Sequence, residues 1–345
     1  MKKRRPLKKI ESVSPTRVDL AGGTLDLWPL YIFHQDCVTV NLAIDIRTYV
    51  TIIPRKDEKI ILASADTKTE QIYKNSDEIS IEVKERGNHD LHLLKVHIDF
   101  WKPSGGFELH TKSESPVGAG IAASSSLNIS LCGAFSALTE RVLSDHEIVT
   151  LAGNLEARVI QTPTGCQDYF PALYGGLNLI ELTALGPRRK GLDFNMDEFY
   201  KHFILIYTGK PHHSGLNNWK IFKDHIDGHD QTYENFEALK GVALNMYESC
   251  SNQKWENFGQ LFDDEFKARV AISKVFSSPE IERLREVAFE AGAEALKICG
   301  AGGGGCVFLW TAPQKKNEVE NKCQQAGFQV LKAQPTRAGL ETKIS

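Results

Sequence analysis

The chain has 345 residues, 41% hydrophobic and 25% charged, an ordinary globular composition long enough for two domains sharing an interface. Its 41 Lys and Arg against 44 Asp and Glu leave a net charge of −3, so no global attraction to nucleic acid is implied. No apolar run approaches the roughly 18 residues of a membrane span, and no signal-peptide pattern follows the start.

The basic opening, MKKRRPLKK, reads as a solvated tail; the alternative is a nucleic-acid contact with steep salt dependence. Residues 12–21, SVSPTRVDLA, predict a strand that leads into a GGTLD turn. From 44 to 52, Ile44, Ile46, Val50 and Ile52 alternate with Asp45, Arg47 and Thr51, a half-buried strand. Phe107, Leu109 and Thr111 alternate in the same way and run into ESPVGAGIAASSSLN, residues 114–128. Leu127, Leu131, Ala134, Phe135 and Leu138 then recur at helical spacing, so the order is strand, small-residue loop, helix.

Ser144 and Glu147 fit a capping box, and Ile148, Leu151, Ala152, Leu155 and Val159 make the buried stripe of a second helix. A loop, TPTGCQDYF, separates it from a strand in YGGLNLIEL. The polar stretch ALGPRRKGLDFNMDE, 184–198, is read as a domain boundary, giving halves 1–190 and 191–345. FILIY, 203–207, is a strand, and 229–295 is mostly helical, with Ser278 as cap and Pro279 at the first position of the last helix. KICGAGGGGCVFLW puts a glycine loop before a buried strand. The seven cysteines show no CxxC spacing and read as reduced thiols of a cytoplasmic protein.

A loop of Gly, Ala and Ser opening a helix suits a phosphate group. The first-turn N–H groups are free, the helix dipole adds positive charge, and no side chain blocks the approach. A tight structural turn would use the same residues. The loop is neither a Walker A loop nor a dinucleotide GxGxxG.

Three stretches in fixed order, SPTRVDLAGGTLD, ESPVGAGIAASSS and KICGAGGGG, resemble the GHMP kinases over residues from about 12 to about 311. The resemblance implies an α+β fold of two domains, a ribosomal-protein-like α/β domain followed by a ferredoxin-like α+β domain. It also implies ATP-dependent phosphorylation of a hydroxyl, with ATP and Mg²⁺ as cofactors and a small molecule as partner. The central family pattern is close to PxGxGLGSSxA. Pro116, Gly118, Gly120, Ser124 and Ser125 match it, Ile121 replaces Leu, Ala122 a common Gly and Ala123 a common Ser. With Ala119 these are the expected nucleotide-binding residues, and Ser124 is the expected metal-ligating hydroxyl, with Ser125 beside it.

Glu156 lies eight residues after Ile148, about 80° around the helix, and so borders the buried stripe where a carboxylate can face a cleft. It is the expected second metal ligand; alone it would read as a surface glutamate. Asp168, twelve residues on, matches the family's GxxD region, where an aspartate acts as base toward the substrate hydroxyl. A turn aspartate is the other use of Asp in such a loop. Arg17 matches the basic position of the first motif, where it would keep Asp168 ionised and stabilise the transferred phosphoryl group, or else form a strand-edge ion pair.

Gly22, Gly23 and Thr24 form the turn that aims Asp26, which matches a sugar-contacting aspartate of the galactokinase-like branch. Gly165, Gly302, Gly303 and His213 complete the expected substrate side; the third glycine loop would otherwise be structural. The loop YTGKPHHSGLNNW, 207–219, crowds Lys210, His212, His213 and Ser214 and could hold sugar hydroxyls or a phosphate, or be a solvated connector. AGG followed by Asp26 resembles the bacterial heptose kinases and the fucose-type kinases, and QDYFPALYGGLN resembles the heptose kinases, favouring a sugar or sugar phosphate and an anomeric hydroxyl. Ser64–Thr67 and the segment near Trp101 are candidates for the adenine pocket. A mevalonate-pathway member and a nucleotide-binding sensor without turnover are the competing readings.

Overall fold

A computed structural model describes residues 8–85, 90–211, 214–228 and 231–345, with 214–218 described as backbone alone. Residues 1–7 of the basic opening, His212 and His213 therefore lie outside the described residues, as does the Ser214 side chain. In chain order the elements begin with β1 (Ile10–Ala21), β2 (Val38–Pro54), β3 (Ile60–Ser64), β4 (Thr69–Tyr73), α1 (Ser76–Lys84) and α2 (His92–Trp101). Next come β5 (Phe107–Ser113), α3 (Ala123–Thr139), α4 (Asp145–Ile160), α5 (Tyr169–Tyr174), β6 (Leu177–Thr183), β7 (Gly186–Leu192), α6 (Met196–His202) and β8 (Phe203–Tyr207). Helices α7 (Ser214–Ile226), α8 (Thr232–Ser251), α9 (Phe258–Ile272) and α10 (Pro279–Glu290) follow. The chain closes with β9 (Ala293–Ile298), β10 (Cys306–Thr311), α11 (Lys316–Gln325), β11 (Gln329–Leu331) and β12 (Glu341–Ile344).

The first sheet runs β12-β1-β2-β5-β3-β4. The long β2 is rich in β-branched residues and shared between neighbours. Its start, Val38–Leu42, pairs with β6, and its end, Thr48–Pro54, pairs with β5. The second sheet is antiparallel, β11-β8-β10-β9. This is the expected α+β arrangement of two lobes.

Helix α3 lies on the first sheet, and its small residues explain how. The Ser126 hydroxyl meets that of Thr48 at 2.8 Å and donates to the Ser14 carbonyl at 3.0 Å. Buried hydroxyls are thus satisfied inside the interface rather than excluded from it. Helix α4 starts as its sequence predicts: the Glu147 N–H donates to Ser144 Oγ and the Ser144 N–H to Glu147 Oε2. Helix α10 is capped by Ser278, with Pro279 in its first turn.

Position 190, the expected boundary, falls inside β7. The polar stretch from 184 carries β7, which pairs with β6 as a hairpin. Arg188 and Lys190 sit on its exposed face, where Lys190 pairs with Glu181, while Arg189 on the opposite face is half-buried, its guanidinium 4.2 Å from the Tyr174 ring centroid. The last strand, β12, returns to the first sheet beside β1, in register from Ile10–Ile344 to Val13–Glu341. No helix among the described residues is long and apolar enough to cross a membrane.

Candidate active site

A cleft of about 450 Å³ lies where loop 115–125, loop 164–168, the turn after β1 and the start of the β9–β10 loop meet. The small-residue loop is shaped by left-handed backbone at Gly118 (φ 67°), Gly120 (φ 72°) and Ala122 (φ 62°). Ala122 caps α3 without a side-chain hydrogen bond, so the first-turn amides of Ala123, Ser124 and Ser125 are left for a ligand. The loop is held at both sides: the Arg17 N–H donates to the Ile121 carbonyl at 3.1 Å and the Cys306 N–H to that of Ala119 at 2.6 Å. Pro116, Gly118, Ala119, Gly120 and Ala122–Ser125 line the cleft; Ile121 turns its fully buried side chain into the core.

Arg17 ties the three sequence motifs together. Its Nε donates to Asp168 Oδ1 at 2.8 Å, and its Nη1 donates to the Gly120 carbonyl at 3.0 Å and the Cys299 carbonyl at 2.6 Å. Burial works against the guanidinium charge, but Asp168 outweighs it and holds Arg17 protonated. Asp168 keeps its other oxygen for the cleft.

Glu156 is buried on α4 and faces the start of α3. Its Oε2 accepts hydrogen bonds from Ser125 and Tyr169, each at 2.9 Å. Burial pushes its carboxyl up, and nearby Asp168 adds to the rise, against the lowering effect of the Ser125, Tyr169 and Ser124 hydroxyls. Such a carboxyl gains from a cation. Glu156 with the hydroxyls of Ser124, which is exposed to the cleft, and Ser125 is an all-oxygen donor set, which suits Mg²⁺. Among the described residues no three His, Cys, Asp or Glu side chains converge on a metal position. Mg²⁺ commonly takes one or two carboxylates and fills its remaining positions with phosphate and water.

Asp26, an expected sugar contact, is 3% exposed and accepts backbone N–H bonds from Thr24 (3.1 Å) and Gln167 (2.9 Å). Burial first, and then neighbouring Asp168, push its carboxyl up to about 6. Thr24, Asp26 and Gly165 line the cleft as expected; a Cβ on Gly165 would overlap the Asp26 carboxylate.

Four expected substrate residues do not line it. Gly22 packs under β2 against the Val38 carbonyl, and Gly23 backs onto a buried ion cluster. Gly302 and Gly303 pack on the turn 274–276, where Gly302 approaches the Phe276 backbone too closely for any side chain. The third loop offers Gly300 and Ala301 to the cleft instead. Ser64 and Thr67 line one end of it together with Asp66, whereas Trp101 is buried in the core and stacked with Phe135. Lys210 is exposed and paired with Glu280 at 3.4 Å.

The ion cluster was not anticipated. Arg269 on α9 bonds Asp19, Glu265 (2.7 Å) and the Gly300 carbonyl (3.0 Å), and Lys297 on β9 reaches Asp19 and Glu265, each at 3.1 Å. Burial would raise Asp19, but Lys297, Arg269 and Arg17 together outweigh it and hold it ionised. The legible signals were an i,i+4 Glu265–Arg269 pair and a lysine inside the apolar run ALKIC.

Two family models match: GHMP kinases N terminal domain over residues 90–176, and GHMP kinases C terminal over 236–329. The chain belongs to the GHMP kinases and is an ATP-dependent phosphotransferase with an alcohol group as acceptor. It is 28% identical over 336 residues to a D-glycero-alpha-D-manno-heptose 7-phosphate kinase of Campylobacter jejuni, covering 93% of this chain and 95% of that one. It is 25% identical over 289 residues to a mevalonate kinase of Methanocaldococcus jannaschii, covering 81% and 87%. A crystal structure of a D-glycero-D-manno-heptose 1-phosphate kinase from Bacteroides thetaiotaomicron superposes with a TM-score of 0.76 at 20% identity, covering 97% and 98%, and shares the fold.

Proposed function

We propose that this enzyme phosphorylates a hydroxyl of a sugar phosphate of the heptose 7-phosphate kind, at the anomeric position. The observation that carries the reading is the Arg17 bridge. One guanidinium holds Asp168 by one oxygen and, through Gly120, the loop that receives the triphosphate. The amides at the start of α3 grip the β- and γ-phosphates, with Ser124 and Glu156 holding Mg²⁺. When bound, Mg²⁺ neutralises charge on the phosphates. Asp168 Oδ2 accepts the sugar hydroxyl proton as that oxygen attacks the γ-phosphorus. The bond from phosphorus to the β–γ bridging oxygen breaks, and ADP leaves. Arg17 holds the base in place by its hydrogen bond, and Asp26, Thr24 and Gly165 orient the sugar.

A lone small-molecule substrate, with no nucleic acid or membrane partner, accords with the net charge of −3, and seven free cysteines accord with a cytoplasmic setting, as monomer or homo-oligomer. The test is ADP release with heptose 7-phosphates, hexoses and mevalonate, followed by phosphorus NMR of the product. A new anomeric phosphate on a heptose 7-phosphate is expected. Turnover of mevalonate alone would replace the sugar assignment, and nucleotide binding with no turnover would favour a sensor. Asp168→Asn is expected to lose at least about 10²-fold in kcat with ATP binding retained.

A further inference from the structure

We infer that Tyr169 is a positioning residue that sets the metal-facing oxygen of Glu156 and ties it to the base Asp168. The inference rests on the proposed Ser124–Glu156 metal site. Tyr169 opens α5 directly after Asp168 and is 1% exposed. Its ring lies on α4 at Gly153, where a Cβ would come within 3.4 Å of the ring. That packing fixes where the phenol oxygen points. The hydroxyl donates to Glu156 Oε2, the same oxygen that accepts from Ser125, and the Thr164 hydroxyl stands beside the phenol oxygen. Two donors therefore occupy Oε2, and the Ser124 hydroxyl also interacts with the carboxylate.

A carboxylate held this way presents one oxygen in one orientation. Neutral hydroxyl donors orient the group but leave its charge unbalanced, and among the described residues no cation pairs with Glu156. Hydrogen bonds to ligating carboxylates are the outer layer that tunes metal affinity, and their loss costs about 10- to 100-fold. Tyr169 and Asp168 are neighbours in the chain, so one short helix start places both the base and the support of the metal ligand. A shift of one moves the other.

The test uses Mn²⁺ as a spectroscopically visible probe, titrated into the intact protein with a non-hydrolysable ATP analogue and read by electron paramagnetic resonance. Tyr169→Phe keeps the ring and removes only the hydroxyl. It is expected to raise the Mn²⁺ dissociation constant of the nucleotide complex about 10-fold. Metal-free analogue binding should stay within about twofold, and a Glu156→Gln/Tyr169→Phe double variant should bind no more weakly than Glu156→Gln alone. A Tyr169→Phe protein whose Mn²⁺ affinity matches wild type, while Glu156→Gln weakens it, removes Tyr169 from this role. So does equal weakening of analogue binding with and without metal, which marks a purely structural defect. If Glu156→Gln also leaves Mn²⁺ binding unchanged, the metal site itself falls, and this inference with it.

Discussion

Asp26 and Asp168 sit on opposite sides of one loop and meet different surroundings. Asp168 has Arg17 at 2.8 Å, whereas Asp26 is hydrogen-bonded by backbone amides and stands near the like-charged Asp168 and Asp19. Amides weaken with distance and carry no net charge, so burial wins at Asp26 and its carboxyl is pushed up to about 6. The folded state therefore holds a proton on Asp26 that the unfolded chain has released, and stability falls as pH rises from about 4 to 6. Over that window wild type is expected to lose about 3 kcal/mol relative to Asp26→Asn. Thermal unfolding of both proteins across the range checks this, and a pH-independent difference contradicts it. At Arg17 the rigid fork serves three acceptors at once, which an ammonium does not reproduce. Arg17→Lys is expected to lower kcat by about 10²- to 10³-fold, read in the coupled assay; near-normal turnover would show the bridge to be dispensable.

At the scale of elements, α3 shows why a run of Gly, Ala and Ser was chemically informative. The same smallness serves two ends: the loop lets a ligand near the amides, and the helix comes close to the sheet. At Gly133 a Cβ would stand 2.7 Å from Thr342 Oγ1 and 2.8 Å from Ser12 Oγ. Gly133→Val is expected to cost about 1–3 kcal/mol in urea unfolding without changing the affinity for nucleotide, because the strain falls on β1 and β12 rather than on the cleft. Ser144→Ala removes one cap and is expected to cost about 1 kcal/mol. Caps, alternation and the strand–loop–helix order were legible because they depend on neighbours in the chain. The stretch 184–198 was read as a boundary from its polar, Pro- and Gly-containing composition; part of it forms β7, paired with β6, and local composition does not separate such a strand from a linker. Gly302 and Gly303 were placed at the substrate for their resemblance, while their closeness to Phe276 is set by a segment about 25 residues away in the chain.

Across the whole molecule, the two sheets are joined beneath the cleft by the Asp19–Arg269–Glu265–Lys297 cluster, which links β1 to α9 and β9. Breaking a buried cluster by removing one partner leaves uncompensated charge. Arg269→Met is expected to cost about 3–5 kcal/mol and to unsettle the Gly300 carbonyl that Arg269 holds. Chemical denaturation reports the first effect and the KM for sugar the second; a variant as stable as wild type would make the cluster incidental. Residue types and their order pointed to the chemistry proposed for this protein: amides for phosphate, a carboxylate for a proton, an arginine between them. Those roles need only local geometry and the right atoms. Which of two adjacent serines donates to Glu156 Oε2, which glycines reach the cleft, and that Asp19 is held by Lys297 of the other sheet and Arg269 of α9 were decided by the tertiary structure. Each depends on the approach of segments far apart in the chain, and packing rather than local preference sets that approach.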